Sequence, residues 1–315
     1  MPTAQEAGVK EPLPSMPLRP LPIAGPDDPE REAAWNDFQS KASRGNATFP
    51  MNTAVQDNTR TVPLMIVDEE QNRRLERKPV ELEPAYVEKM PIGRLTLPQG
   101  LFTDTNTYQS EINAFKKDMK PNPEAYQYNF EEPLARKWIQ ADKRKDPASK
   151  KMMDKFWSYV MSVGDQVLEA SDKTGVPESL LYAFLVREGG GPGIVSNKGA
   201  IGYGQFTPVT RKEMRRLGNG SMRKVMRDMD LSEQAFAVDP RTGVMGMAVY
   251  LRRLLDMFDG NIDAVLSSYN GGPNATRNNG VLRNKETLTY AYYVQEYEKY
   301  YRKLLHSLRY GTVKI

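Results

Sequence analysis

The sequence predicts a mainly α-helical protein, in which a helical second half follows an extended, proline-rich first half. Proline is the first observation, because 18 of the 23 prolines lie at or before Pro147 and helix interiors exclude this residue. The second is apolar spacing: residues 151–174, 177–188, 240–258 and 286–309 carry apolar side chains at helical intervals. A small β or loop element is expected in the glycine-rich chain after the second of these helices.

Two regions are expected on either side of residue 150. Residues 1–150 are predicted to be an extended N-terminal docking or structural region with short helices, and residues 151–315 a helical domain. Seven prolines within residues 1–26 indicate a polyproline-like arm. A helix predicted over residues 28–44 places Trp35 and Phe38 on one face, which indicates an anchor for a partner protein. A loosely packed helix is the alternative interpretation.

Composition excludes several classes of site. The chain has no cysteine and one histidine, His306, so disulfide frameworks, cysteine-ligated metals and multi-histidine metal sites are excluded. A Ser-His-Asp triad would require His306 to fold back onto the site. We therefore expect no metal and no cofactor, and carboxylate chemistry remains.

Charge and hydropathy limit the partners. Residues 1–150 have a net charge of −2 and residues 151–315 one of +6, which suits an anionic polymer but lacks the basic stripe of a nucleic-acid binder. No segment has the roughly 18 consecutive apolar residues that a membrane span needs. The N-terminus lacks the apolar core of a secretory signal peptide, so another route to any extracytoplasmic target is expected.

Glu188 is the candidate catalytic residue. It ends an apolar helix that contains Phe184 and Leu185, and a glycine-rich segment, residues 189–193, follows at once. The negative end of the helix dipole and apolar neighbours both raise a carboxyl pKa, which favours a general acid. The alternative is a solvated glutamate before a glycine that ends the helix.

Four stretches together resemble the soluble lytic transglycosylases, a family similar in fold to goose-type lysozyme. Residues 196–208 (SNKGAIGYGQFTP) resemble its S-x-x-G-A-x-G-x-x-Q-x-x-P motif, and residues 268–273 (SYNGGP) its A-Y-N-A-G-P motif. Residues 239–240 (DP) and 286–290 (ETLTY) match its D-P and E-T-x-x-Y motifs in order and spacing. The resemblance covers about residues 150–310 and implies a lysozyme-like helical catalytic domain.

The resemblance implies non-hydrolytic cleavage of peptidoglycan glycan strands with one acid/base. Glu188 would protonate the oxygen of the β-1,4 bond between N-acetylmuramic acid (MurNAc) and N-acetylglucosamine (GlcNAc). It would then deprotonate the MurNAc C6 hydroxyl, which closes a 1,6-anhydro ring. Glycosidases that hydrolyse this bond normally use two carboxylates. Glu213 and Asp239 fit a helix surface and a helix cap better than a second catalytic role.

Residue type predicts the supporting roles. Ser196 and Gln205 are expected to hydrogen-bond sugar substituents or to hold their loop. Tyr203 and Phe206 are expected to stack on sugar faces or to pack within a hairpin. The remaining expected site residues, which would orient Glu188, stabilise positive charge at C1 or face the site, are Tyr269, Asn270 and Tyr290.

Two positions depart from the family pattern. Family members usually have serine directly after the catalytic glutamate, where this chain has Gly189, and Gly271 replaces the alanine of A-Y-N-A-G-P. Neither departure removes an essential group.

The arm and the absent leader together predict a bacteriophage virion protein. It would bind other virion proteins (tail, portal or ejection proteins) through residues 1–150 and open the host wall in the periplasm during DNA entry. A lyase of a secretion machine is the nearest alternative. Two further candidates are a goose-type lysozyme hydrolase and a structural virion protein with a vestigial lyase domain.

Overall fold

The computed structural model describes residues 93–97, 106–139 and 145–310, the side chains of 308–310 excepted. Within these residues the chain is mainly helical, as predicted. A 3-10 helix at Pro123–Tyr126 lies between the first two α-helices. The α-helices in order are α1 (Asn106–Lys117), α2 (Pro133–Ile139), α3 (Lys150–Thr174), α4 (Glu178–Glu188), α5 (Pro208–Asn219), α6 (Glu233–Val238), α7 (Pro240–Met257), α8 (Ile262–Gly271), α9 (Pro273–Asn279) and α10 (Lys285–Tyr310).

Side-chain caps set the starts of three helices. The side chains of Thr207, Asp239 and Asn261 accept hydrogen bonds from backbone N–H groups in the first turns of α5, α7 and α8. Gly175 ends α3 with a φ of 71°, as expected for a glycine C-cap. Pro177 differs by one position, because it is the N-cap of α4 rather than its first helical residue.

The core surrounds α4. Every residue of α4 from Ser179 to Val186 is buried, so the helix lies inside the domain and does not form its surface. Helix α10 packs along α4, and α3 packs against both α4 and α7. Stacked aromatic rings join these helices, as between Phe156 of α3 and Tyr301 of α10, whose centroids are 4.4 Å apart. Burial on all sides fixes the end of α4, where Glu188 lies.

The segment before residue 150 contributes to the same core. Tyr108 and Ile112 of α1 and Tyr126 of the 3-10 helix are buried in the cluster that includes the core of α4 and α7. Tyr108 also donates a 2.7 Å hydrogen bond to Asp256 of α7. The boundary expected at residue 150 therefore does not separate two cores in the described part. The predicted helix at residues 28–44 lies outside the described residues.

The predicted β/loop element follows Glu188. Val195 and Ile201 form one antiparallel bridge, and Ile201 and Phe206 form a second. Residues 195–206 therefore double back twice, and we call this segment the hairpin. These bridges are isolated, and a third joins Arg94 to Asn261. In the described ranges no helix has the length and apolar character that crossing a membrane requires.

Candidate active site

Glu188 ends α4 at the surface of the core. Gly189 ends the helix in the left-handed conformation, with a φ of 64°, and its N–H bonds the carbonyl oxygen of Leu185. Glu188 is partly exposed to solvent, yet most of its surroundings are protein atoms. Burial raises its pKa to about 7, against the smaller lowering effects of the Tyr290 hydrogen bond and the charge of Arg187. The raised pKa confirms the expectation, with desolvation as its main cause.

Tyr290 is the hydrogen-bond donor to this carboxylate. Its hydroxyl, on α10, lies 2.5 Å from Glu188 Oε1. The Tyr290 ring is buried against Phe184 of α4, and the Arg187 guanidinium lies 5.1 Å from the ring centroid on a face of the same ring. The structure therefore brings Tyr290 to Glu188, and α10 holds the acid in position.

Tyr269 and Asn270 lie close by but do not hydrogen-bond Glu188. The Tyr269 ring is stacked parallel to Tyr290, with centroids 6.4 Å apart, and its hydroxyl donates a 2.8 Å bond to the Gly204 carbonyl oxygen. Asn270 Oδ1 accepts a 2.7 Å bond from the Thr287 hydroxyl. Their observed contacts join the end of α8 to the hairpin and to α10.

Ser196 and Gln205 hold the loop, one of the two roles expected for them. The Ser196 hydroxyl accepts hydrogen bonds from the N–H groups of Lys198 and Ala200. Gln205 Nε2 donates a 2.9 Å bond to the Gly202 carbonyl oxygen. Gln205 also has a φ of 47°, which is unfavourable for a residue with a side chain and is common at binding sites.

Tyr203 and Phe206 pack inward, so the stacking role expected for them does not fit this structure. Phe206 is 1% exposed, and its ring meets Phe236 edge-on at 5.7 Å. Tyr203 is 4% exposed and lies against Gly243 of α7. A sugar can stack only on an exposed ring face. Both of these rings are buried between the hairpin and the helices below it, so neither offers such a face. Hairpin packing, the alternative role, fits both residues.

Close backbone approach joins the segment after Glu188 to the hairpin. A Cβ atom at Gly190 would lie 2.2 Å from the Gly202 carbonyl oxygen and 2.6 Å from that of Tyr203. Gly202 itself has a φ of 70°, and a Cβ there would lie 1.9 Å from the Phe236 carbonyl oxygen. Glycine is therefore required at both positions for the loop to lie beside Glu188.

Three residues near the site belong to none of the four motifs. Arg211 is 8% exposed, and its guanidinium donates a 2.5 Å bond to the Phe206 carbonyl oxygen. Tyr159 of α3 donates a 2.6 Å bond to the Gly190 carbonyl oxygen. Lys155 lies one turn before Tyr159. The spacing of Lys155 and Tyr159 on one helix face was the available signal, but it does not reveal which segment that face meets.

The carboxylates of Glu213 and Asp239 are occupied away from the site. Glu213 pairs with Arg216 and Arg253, which together help to hold its pKa below the usual range. Asp239 caps α7 through a 2.9 Å bond from the Thr242 N–H. Among the described residues, no carboxylate contributes to the pKa shift of Glu188. His306 lies 16 residues beyond Tyr290 on α10, about 24 Å along the helix axis, so it cannot join the site.

The site thus offers one carboxyl group with a pKa near neutrality, a tyrosine that bonds it, and a glycine-rich loop beside it. This arrangement can donate and then accept a proton at neutral pH.

A family model described as the transglycosylase SLT domain matches residues 165–291. The matched segment includes Glu188, the hairpin and Tyr290.

Proposed function

We propose that Glu188 is the single catalytic acid/base of a peptidoglycan lytic transglycosylase. The match of residues 165–291 to the transglycosylase SLT domain indicates this enzyme class, which is a lyase. The reaction cleaves the MurNAc–GlcNAc β-1,4 bond and leaves 1,6-anhydro-MurNAc. Glu188 is the residue whose position and pKa suit both proton transfers.

Two proton transfers complete the reaction. The protonated Glu188 carboxyl donates its proton to the glycosidic oxygen as the bond from C1 to that oxygen breaks. The resulting carboxylate takes the proton of the C6 hydroxyl as that oxygen bonds to C1, which restores the acid. A pKa near 7 allows both steps, because neither protonation state is strongly favoured at neutral pH.

The groups that shift the Glu188 pKa support a mechanism with one catalytic carboxylate. A retaining hydrolase places its two carboxyl groups about 5 Å apart, where each strongly influences the pKa of the other. Among the described residues, burial, Tyr290 and Arg187 account for the shift at Glu188, and no carboxylate does. An intramolecular hydroxyl nucleophile needs no second carboxylate.

Mass spectrometry of the products tests this mechanism. The full chain is incubated with purified peptidoglycan, and 1,6-anhydro-muropeptides are expected. Glu188→Gln should abolish them, whereas Glu124→Gln, which removes an exposed carboxylate from the 3-10 helix, should not. Products with free reducing ends would instead establish hydrolysis, as in goose-type lysozyme.

We also propose that the protein is carried by a phage virion and opens the wall locally in the host periplasm during DNA entry. The proline-rich arm and the Trp35/Phe38 helix predicted from the sequence support this role, since both suit docking on other virion proteins. Purified particles should contain the full chain, and deletion of residues 1–92 should prevent its incorporation. Recovery with an envelope-spanning secretion complex would favour a secretion-machine lyase. Particles that carry Glu188→Gln and infect normally would favour a vestigial lyase domain.

A further inference from the structure

One face of α3 runs along the segment that follows Glu188. Lys151, Lys155 and Tyr159 lie four residues apart and so share this face. Tyr159 fixes the contact through its 2.6 Å bond to the Gly190 carbonyl oxygen. One turn earlier, Lys155 Nζ lies 3.4 Å from the position that a Cβ atom of Gly189 would occupy. The ammonium group therefore lies directly beside the residue that follows the catalytic acid.

Lys155 belongs to a group of cations that we call the Lys155 cluster, formed by Lys151, Lys155 and Arg187. Burial lowers the pKa of Lys155 first, and the like charges of Lys151 and Arg187 lower it further. In the described part of the chain, Lys155 has neither a hydrogen bond nor an ion pair. The Arg187 guanidinium lies on the Tyr290 ring, but its buried Nε has no hydrogen-bond partner among the described residues.

Such a cluster is unfavourable on its own. Three positive charges gathered at one place repel one another, and the partial burial of Lys155 removes part of the water that would screen its charge. An anion placed among them would relieve both costs. Glu188 offsets the charge of Arg187 in part, but it is protonated when it acts as an acid.

A role in capping α4 does not account for Lys155. A lysine beside a helix C-terminus can stabilise the helix dipole, and Lys155 lies near that end of α4. The turn is already closed, however, because the Gly189 N–H bonds the Leu185 carbonyl oxygen at 2.9 Å. Moreover, capping would not bring Lys151 and Arg187 to the same place.

We propose that the Lys155 cluster binds a carboxylate of the peptide stem carried by the muramic acid that is cleaved. The inference rests on the proposed function and extends it to substrate choice. The amino sugars of the glycan are neutral, whereas the stem is an acidic peptide attached to the same sugar whose C1 reacts beside Glu188. The Lys155 ammonium lies beside Gly189, the residue after the acid, and so is close enough to the reacting sugar to contact that stem. The enzyme would therefore prefer peptide-bearing glycan with free carboxylates.

The test compares three substrates: intact glycan strands, strands whose carboxylates have been converted to amides with carbodiimide and ammonia, and strands freed of their stems by an amidase. Lys155→Met removes the charge and keeps an apolar side chain of similar length. Lys155→Arg keeps the charge, and Lys299→Met removes one from an exposed site on α10 as the matched control. All variants are made in the full chain.

For intact strands, Lys155→Met should lower kcat/KM roughly tenfold, the loss expected for one charge-assisted contact at a partly exposed site. Lys155→Arg should recover most of the loss, and Lys299→Met should have no effect. Amide formation should lower wild-type kcat/KM by a similar factor and abolish the difference between wild type and Lys155→Met. The stem-free strands should also show no difference.

Two results would overturn the proposal. If Lys155→Met lowers activity equally on all three substrates and lowers Tm, Lys155 supports the helix and does not bind stems. The amidase frees the lactyl carboxylate of muramic acid, which is bonded to the stem in intact strands. If the loss persists on stem-free strands but not on amidated ones, the cluster accepts this carboxylate as well and does not select the peptide stem.

Binding separates this inference from the proposed reaction. The affinity of Glu188→Gln for intact and amidated strands is compared with that of the double variant Glu188→Gln/Lys155→Met. Weaker binding of intact strands by the double variant supports the cluster even if no anhydro product is ever formed. Equal binding refutes the cluster even if the lyase reaction is confirmed.

Discussion

The Tyr290 hydroxyl donates a 2.5 Å hydrogen bond to Glu188 Oε1 across 102 residues of sequence. This bond favours the ionised carboxylate and so lowers the Glu188 pKa, while burial raises it by more. The balance of the two leaves the pKa near neutrality. The bond also fixes one carboxyl oxygen to α10.

The pH profile should report this balance. The first step needs protonated Glu188, so kcat/KM should fall about tenfold per pH unit above pH 7. Tyr290→Phe removes the larger of the two effects that lower the pKa of Glu188, so the alkaline limb should move to higher pH. Tyr269→Phe removes the bond to Gly204 instead and should leave the limb nearer its wild-type position. An unchanged limb in Tyr290→Phe would contradict the assigned role of the bond.

Glu188 should also make stability depend on pH. Its pKa in the folded protein, about 7, lies above the unfolded value of 4.5, so ionisation within the fold costs free energy. Below pH 4.5 both states are protonated and the cost is absent, whereas above pH 7 it is fully present. Glu188→Gln should therefore raise the free energy of unfolding by about 2–3 kcal/mol at pH 8 but not at pH 4. Denaturant unfolding at the two pH values measures this difference, and an equal effect at both would contradict it.

Gly190→Ala should disrupt the contact between the segment after Glu188 and the hairpin. The new Cβ would lie 2.2 Å from a backbone oxygen, and backbone cannot move aside as a side chain does. A loss of at least about 2 kcal/mol of stability is expected, with loss of activity. Gly191→Ala is the matched control, because its Cβ would meet the flexible Ile194 side chain at 3.4 Å. Thermal unfolding of the two variants should differ clearly.

Arg211 should stabilise the hairpin through its bond to the Phe206 carbonyl oxygen. Its buried guanidinium bonds the Phe206 carbonyl oxygen and pairs with Glu233. Arg211→Met leaves the Phe206 carbonyl without its charged donor, which should cost about 2 kcal/mol. Glu233 adds little to this loss, because it is partly exposed and keeps its ion pair with Arg215. Arg223→Met, which removes an arginine from an exposed position, should change stability by less than about 0.5 kcal/mol. Equal losses of stability in the two variants would show that the buried Arg211 contacts do not hold the hairpin.

Truncation should show where the folded domain begins. A chain that starts at residue 146 loses four side chains that lie in the common core, Tyr108, Ile112, Phe115 and Tyr126. Each contributes about 1.5–3 kcal/mol on burial, so this chain should lose its cooperative thermal transition. A chain that starts at residue 93 keeps these contacts and should unfold cooperatively. Two identical transitions would show that α1 and the 3-10 helix are dispensable.

Local signals in the sequence predicted α3, α4, α7 and α10 and the chemical character of the site. Caps such as Asp239 and Asn261, the glycine after Thr174 and the apolar spacing of α3, α7 and α10 act within a few residues, so they can be read along the chain. The same holds for Glu188, whose apolar helix and following glycines already indicate a raised pKa.

Only the tertiary structure decided which side chains meet. It paired Glu188 with Tyr290, turned the Phe206 ring into the core, joined α1 to the catalytic domain and placed Lys155 beside Gly189. Each of these depends on how whole helices pack, and packing is set by many weak contacts between residues far apart in sequence. Helical spacing shows that Lys151, Lys155 and Tyr159 share a face, but the partner of that face is determined by the burial of α4 between α3 and α10.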